Sequence, residues 1–199
     1  MSNASGDAIM CNIYITLVNN ILHVSTEDNT TKILKLFFDG PNVRLHIREV
    51  ARRSGLSPFG AMKILESLEK EGLLIKEPTP VVVEYRGNYQ NDRFLALKRS
   101  SNLYSLYATG LVPWLIDFYK VPECICIFGS YAKGEDIKES DIDLAIVTGI
   151  KDQPNLGAYE EKLKRKISFH LVKDVKKEDA GFINSLANGI VLYGYLEVV

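Results

Sequence analysis

Cysteine is scarce: the 199 residues hold three, Cys11, Cys124 and Cys126. The count is odd, no Cys-x-x-Cys spacing occurs, and the last two lie in an apolar run where buried thiols are common, so neither disulfides nor a zinc site is expected. A charge excess of one sign is also missing. Twenty-four Lys and Arg face twenty-five Asp and Glu, a net of −1, so no whole-chain field singles out nucleic acid or a membrane. Nor is there a long hydrophobic run. The stretch from Ile9 to Val24 is interrupted by Asn12, Asn19 and Asn20 and has no basic flank before it, unlike a signal peptide or a spanning helix. A cytoplasmic protein with no membrane partner is the expectation. What remains is an ordinary globular composition, 46% hydrophobic and 25% charged, enough for one large core or two small ones.

The distribution of charge says more than its sum. Residues 1–40 carry two basic and four acidic groups, residues 41–100 eleven and seven, and residues 101–199 eleven and fourteen, for nets of −2, +4 and −3. A basic middle between acidic flanks points to separate modules with separate partners. Residues 1–28 form a lead-in and a β-hairpin: Met1 to Asp7 is small and polar, and two β-rich runs, Asn12 to Val18 and Ile21 to Ser25, flank the turn Asn19-Asn20.

From Thr30 the apolar period becomes helical, with Ile33, Leu34, Leu36 and Phe37 ahead of Asp39-Gly40-Pro41. A second helix, His46 to Arg53, stops at Ser54-Gly55, and Ser57-Pro58 then offers an N-cap and first turn for a third, striped by Ala61, Ile64, Leu65 and Leu68. Three β-type runs follow, Leu73 to Lys76, Val81 to Tyr85 and Phe94 to Leu97. This order, carried by IREVARRSGLSPFGAMKILESLEKEGLLIKE, resembles the winged helix-turn-helix of bacterial and archaeal transcription regulators over residues 29–98. The resemblance implies a recognition helix from Ser57 to Leu68. Duplex DNA would be contacted by Arg52, Arg53, Ser57, Phe59, Lys63 and the wing residue Arg86, with Arg93 beside the wing. Glu66, Glu69 and Glu71 make the end of that helix acidic, and a protein-docking winged helix stands as the alternative. Residues 99–120, amphipathic and broken near Gly110 and Pro113, are expected to connect two domains.

The chemistry concentrates in residues 121–199. From Cys124 the chain reads CICIFGSYAKGEDIKESDIDLAIVTG: an apolar strand, a Gly-Ser turn, a short polar helix, and a second apolar strand bearing Asp141 and Asp143. Side chains two apart on a strand leave the same face, with Cα atoms roughly 7 Å apart. Two carboxylates about 5 Å apart repel by roughly 3 kcal/mol at an effective dielectric near 20. A cation relieves them, and Mg²⁺, which keeps waters and bridges to substrate phosphates, suits such an open pair of oxygen ligands. Gly129 lets the backbone approach a phosphate, Ser130 offers a hydroxyl, and Lys133 can neutralise phosphate charge.

The segment GSYAKGE…SDIDLAI resembles the nucleotidyltransferase signature of the polymerase-β-like superfamily, closest to its minimal branch, from Cys124 to about Val172. The resemblance implies an α+β chain in which an N-terminal winged helix-turn-helix precedes an α/β nucleotidyltransferase domain with a small mixed sheet. It implies a two-metal Mg²⁺ site on Asp141 and Asp143, and nucleotide binding by Gly129, Ser130 and Lys133. The expected reaction moves a nucleoside monophosphate from a nucleoside triphosphate, ATP first among candidates, to a hydroxyl of an acceptor, which could be a protein. One departure stands out. The family's third carboxylate belongs on the next core strand, here Lys166 to Val172, whose faces show Ser168 and His170 on one side and no acid. His170 is a candidate base or ligand, although a lone His on a half-buried strand is commonly structural. Asp174, of the same parity, lies beyond the run. The second metal is therefore in doubt. The missing acid keeps a second function open, a DNA-binding regulator or antitoxin-like protein whose degenerate transferase domain senses nucleotide. Homodimerisation is left open.

Overall fold

The computed structural model describes residues 28–198, so the expected hairpin and its flanks, residues 1–27, lie outside the described residues. Helix α1 (Asn29–Lys35) starts at Asp28, whose Oδ1 accepts from the Thr31 N–H at 2.6 Å. After β1 (Leu45–His46), α2 (Ile47–Ser54) ends on Gly55 at φ 72°, a left-handed C-cap that glycine adopts without steric penalty. Helix α3 (Pro58–Lys70) begins as its sequence predicts, with Ser57 Oγ accepting from the Gly60 N–H at 3.1 Å and Pro58 in the first turn. Strands β2 (Leu74–Pro78) and β3 (Val83–Gly87) pair antiparallel, and β1 adds to β3, giving the order β1-β3-β2. The three helices and this sheet enclose one core around Ile33, Phe37, Val50, Leu65, Leu74 and Tyr85.

The third β-type run is not a strand. Phe94 to Leu97 forms the opening turns of α4 (Asp92–Ala108), a helix that starts seven residues before the expected connector. Asn91 decides this locally, because its Oδ1 accepts from the N–H groups of both Arg93 and Phe94, at 2.9 and 3.2 Å. Helical spacing then sends Phe94, Lys98, Asn102 and Leu106 to one buried stripe. Gly110, at φ 78°, breaks the chain before α5 (Leu111–Phe118), and Pro113 is accommodated in the first turn of α5.

A second sheet contains β4 (Cys124–Phe128), β5 (Ile142–Val147), β6 (Ile167–Val172) and β7 (Ile190–Gly194) in the order β6-β5-β4-β7. β5 and β6 are parallel, joined across α7 (Gly157–Leu163), and the other pairings are antiparallel. One face packs Ile125, Ile127, Leu144 and Ile146 against Leu106, Leu111 and Leu115 of α4 and α5. On the other face Cys124, Cys126, Phe128 and Ala145 meet Leu186 and Phe182 of α8 (Ala180–Ala187). Cover on both faces explains why β4 and β5 read as unbroken apolar runs. It also pushes the thiols of Cys124 and Cys126 up to about 11 and about 12, which disfavours their thiolate forms. Among the described residues no helix is long and apolar enough to cross a membrane.

Candidate nucleotidyl-transfer site

β4 delivers the chain to its carboxyl end at Phe128, which pairs across the sheet with Asp143 of β5. The next residue, Gly129, sits at φ 70° and opens α6 (Gly129–Lys133). A Cβ at this position would stand 2.1 Å from Asp143 Oδ2. Glycine is therefore required twice, for its dihedral and for the approach of backbone to carboxylate. Ser130 follows in the first turn, and Lys133, exposed and three residues on, shares its helix face.

Asp141 is exposed immediately before β5, and Asp143 is half-buried on it, while Ile142 and Leu144 point into the opposite core. Burial raises the Asp143 carboxyl above the ordinary carboxylate range; His170 opposes the shift and the charge of Asp141 adds to it. Asp141 and Asp143 take part in no ion pair with Lys or Arg among the described residues. The structure therefore brings Gly129 and Asp143 into contact and places Asp141 and Ser130 on the adjoining turns.

Register places the residues considered for the third position. Ser168 lies level with Asp143 on β6, and His170 level with Ala145. Ser168 Oγ and His170 Nε2 are 3.2 Å apart, and the imidazole packs against the rings of Phe128 and Phe182, at 5.4 and 5.5 Å between centroids. His170 is thus held by packing and one hydrogen bond. Asp174 lies two residues beyond the end of β6 at Val172. It caps the turn Val175–Lys177 and pairs with Lys177 at 2.9 Å. Glu160 accepts from the Ile167 N–H at 2.9 Å and pairs with Lys166. Among the described residues no three His, Cys, Asp or Glu side chains gather where they could hold a metal ion.

The residues expected to meet DNA are engaged within their own unit. Glu49 takes Arg52 through two hydrogen bonds at 3.0 and 2.6 Å and Arg53 through one at 2.6 Å. These guanidinium donors hold its carboxyl well below the ordinary range, at about 2. Arg86 and Arg44 share Glu77 at 2.5 and 2.9 Å, and Arg93 meets Glu71 at 3.0 Å. Ser57 is the α3 cap, and Lys63 places its ammonium 4.6 Å from the ring centroid of Phe59, itself 62% exposed.

A polar cluster that sequence reasoning missed lies behind the site. Asp136, between α6 and β5, is fully buried with Lys98 and Asn102 of α4, and Arg165 reaches it from the turn before β6. Its sequence signal is the four-residue spacing Phe94, Lys98, Asn102, Leu106, which places two polar side chains inside an apolar stripe.

One solved structure to which the chain is similar is that of TrmBL2, an archaeal chromatin protein with a novel mode of DNA binding, at 16% identity over 81% of this chain and 70% of that one. The TM-score is 0.27, so the likeness carries no argument. No curated protein matches the chain significantly. Residues 115–197 match the family described as polymerase beta, nucleotidyltransferase, which supports a nucleotidyltransferase domain over β4 to β7.

Proposed function

We propose that the chain transfers a nucleoside monophosphate from a nucleoside triphosphate, ATP being the first donor to test, to an acceptor hydroxyl, with Mg²⁺ held by Asp141 and Asp143. The observation that carries this reading is Gly129 against Asp143: a half-buried carboxylate, next to a second carboxylate, at a turn where glycine leaves room for the carboxylate in this rotamer. That donor set fits one Mg²⁺, whose other ligands would be waters and triphosphate oxygens. The ion would offset negative charge on the phosphates during transfer. Ser130 Oγ–H donates to a phosphate oxygen and Lys133 neutralises another. The acceptor oxygen bonds to the α-phosphorus, the bond from that phosphorus to pyrophosphate breaks, and the hydroxyl proton leaves for a base. Ser168, level with Asp143, cannot be that base, which favours slow turnover or a site that binds nucleotide without turning it over.

The test is Mg²⁺-dependent pyrophosphate release and ATP affinity, in the native chain and in the Asp141→Asn, Asp143→Asn double variant. Loss of ATP affinity in the double variant supports the site, and unaltered affinity overturns it. Binding without pyrophosphate release would favour the nucleotide-sensing regulator.

For the N-terminal unit we read a winged helix-turn-helix, supported by its order of three helices and the β1-β3-β2 sheet, with duplex DNA as partner. Because Arg52 and Arg53 are tied to Glu49, Glu49→Gln should tighten DNA binding. It should also steepen the dependence of log affinity on log salt by up to about 1.8, or ~0.9 for each phosphate newly met. A slope that stays flat in both proteins would point to a protein-docking winged helix.

A further inference from the structure

Helix α4 enters both cores: Phe94 is fully buried in the first and Leu106 in the second. Between them on the same stripe stand Lys98, with no exposed surface, and Asn102. A lysine so placed has lost its hydration, and an anion, hydrogen-bond acceptors and the Tyr89 ring, whose centroid is 5.1 Å from Nζ, take its place. The anion and the acceptors come from residues 134–140, the segment that joins α6 to Asp141. Lys98 Nζ lies 3.3 Å from Asp136 Oδ1 and donates to the Asp136 carbonyl. Asn102 Nδ2 donates to Asp136 Oδ1 at 2.8 Å, and Arg165 Nη2 stands 2.8 Å from Oδ2.

The same short segment is fastened elsewhere along its length. Arg165 donates to the carbonyls of Ile137 and Ser140, and the Lys138 N–H donates to the Asp39 carbonyl at 2.8 Å. Gly134 is pressed against α4, where a Cβ would stand 2.7 Å from the Leu95 carbonyl oxygen. Apolar burial does not hold the segment, because Ile137, its one large apolar side chain, is 42% exposed. A buried ion cluster is also a weak source of net stability, since desolvation offsets most of its attraction. What these contacts do supply is position, and the residue that follows the last of them is Asp141.

Resting on the nucleotidyltransferase reading, we propose that Lys98, Asn102, Asp136 and Arg165 are positioning residues that fix Asp141, so that cation binding depends on a helix shared with the N-terminal core. A displacement of α4 is transmitted through Lys98 and Asn102 to Asp136, and from there along the backbone to Asp141.

The experiment uses the full chain with Mn²⁺ as the probe, its affinity read by electron paramagnetic resonance, alongside melting temperature and amide exchange of residues 135–141. Lys98, Asp136 and Arg165 give the cluster a charge of +1. Asp136→Asn raises it to +2 and Lys98→Met lowers it to zero, whereas the two together restore +1 and leave one amide oxygen at position 136, which can replace Oδ1 as the acceptor for Asn102. The double variant should melt within a few degrees of the native chain, bind Mn²⁺ at least tenfold more weakly, and exchange faster over residues 135–141. Asn102→Ala, which leaves the ion pairs in place, should show a smaller loss in the same direction, and it decides the matter should the double variant not fold. Native Mn²⁺ affinity and native exchange in a folded variant would overturn the proposal. If the native chain binds no Mn²⁺ at millimolar concentration and Asp143→Asn changes nothing, the metal-site reading fails. The exchange rates then still decide whether the cluster holds the segment.

Discussion

Gly129→Ala separates the fold from the site. At φ 70° an alanine sits in the left-handed region, which costs about 1–2 kcal/mol for a residue with a Cβ. The new Cβ would also stand 2.1 Å from Asp143 Oδ2 and 3.1 Å from its Cγ. The carboxylate is the free end of its side chain, so it rotates away, and an off-rotamer side chain adds about 0.5–1.5 kcal/mol. The sum, about 1.5–3.5 kcal/mol, corresponds to a fall in melting temperature of about 3–14 °C for a chain of this size. The chain should therefore fold at room temperature with Asp143 turned out of place. Mn²⁺ affinity should fall at least tenfold, about 1.4 kcal/mol. Gly110→Ala is the control, since Gly110 has φ 78° and nothing within 4 Å of its missing Cβ. That variant should show the backbone part of the melting shift and native Mn²⁺ affinity. Equal Mn²⁺ affinity in the two variants would refute the assignment of Asp143 as a cation ligand.

Ser168→Asp, level with Asp143, should raise Mn²⁺ stoichiometry in the presence of nucleotide from one to two and increase pyrophosphate release. His170→Asp should instead lower the melting temperature without that gain, because it puts a carboxylate against two aromatic rings. The raised Asp143 carboxyl fixes a pH signature: its charged form is disfavoured in the fold, so the associated stability is present at low pH and is lost as pH rises through the folded-state value. Asp143→Asn should therefore melt at or above the native temperature at pH 7, with the difference vanishing below the ordinary carboxylate value of 3.8, followed by calorimetry.

The parts of the fold legible in the sequence are those in which local chemistry and packing agree. Ser57-Pro58 starts α3 and Gly55 ends α2 because caps act over three or four residues. CICIF and IDLAIV are strands because both of their faces are covered, so no polar alternation competes with the apolar run. Phe94 to Leu97 misleads for a related reason. Four residues are too few to separate a period of 2 from 3.6, and the deciding signal is the Asn91 cap ahead of them. The pairing of Arg52 and Arg53 with Glu49 was available from spacing, at three and four residues along one helix. It changes the expectation for DNA, because a guanidinium must leave a carboxylate before it can meet a phosphate.

Asp136 shows what local reading cannot reach. Its partners are 38, 34 and 29 residues away, on a helix that precedes the motif and a turn that follows it. Within GEDIKES it is one of three acidic residues, and nothing in the segment distinguishes it from Glu135 or Glu139, both exposed. The distinction arises only when Gly134 brings the segment against α4, which carries Asp136 to Lys98. A fully buried lysine is tolerable where its counter-ion arrives with the fold, so Lys98 and Asp136 each make the other's burial affordable. Motif residues such as Gly129 and Asp143 can be read from spacing because they meet where neighbouring strands pair, Asp143 opposite Phe128 and Gly129 next along the chain. The residues that hold a motif still come from wherever the chain happens to pass, and they are recovered by asking why a charge is buried.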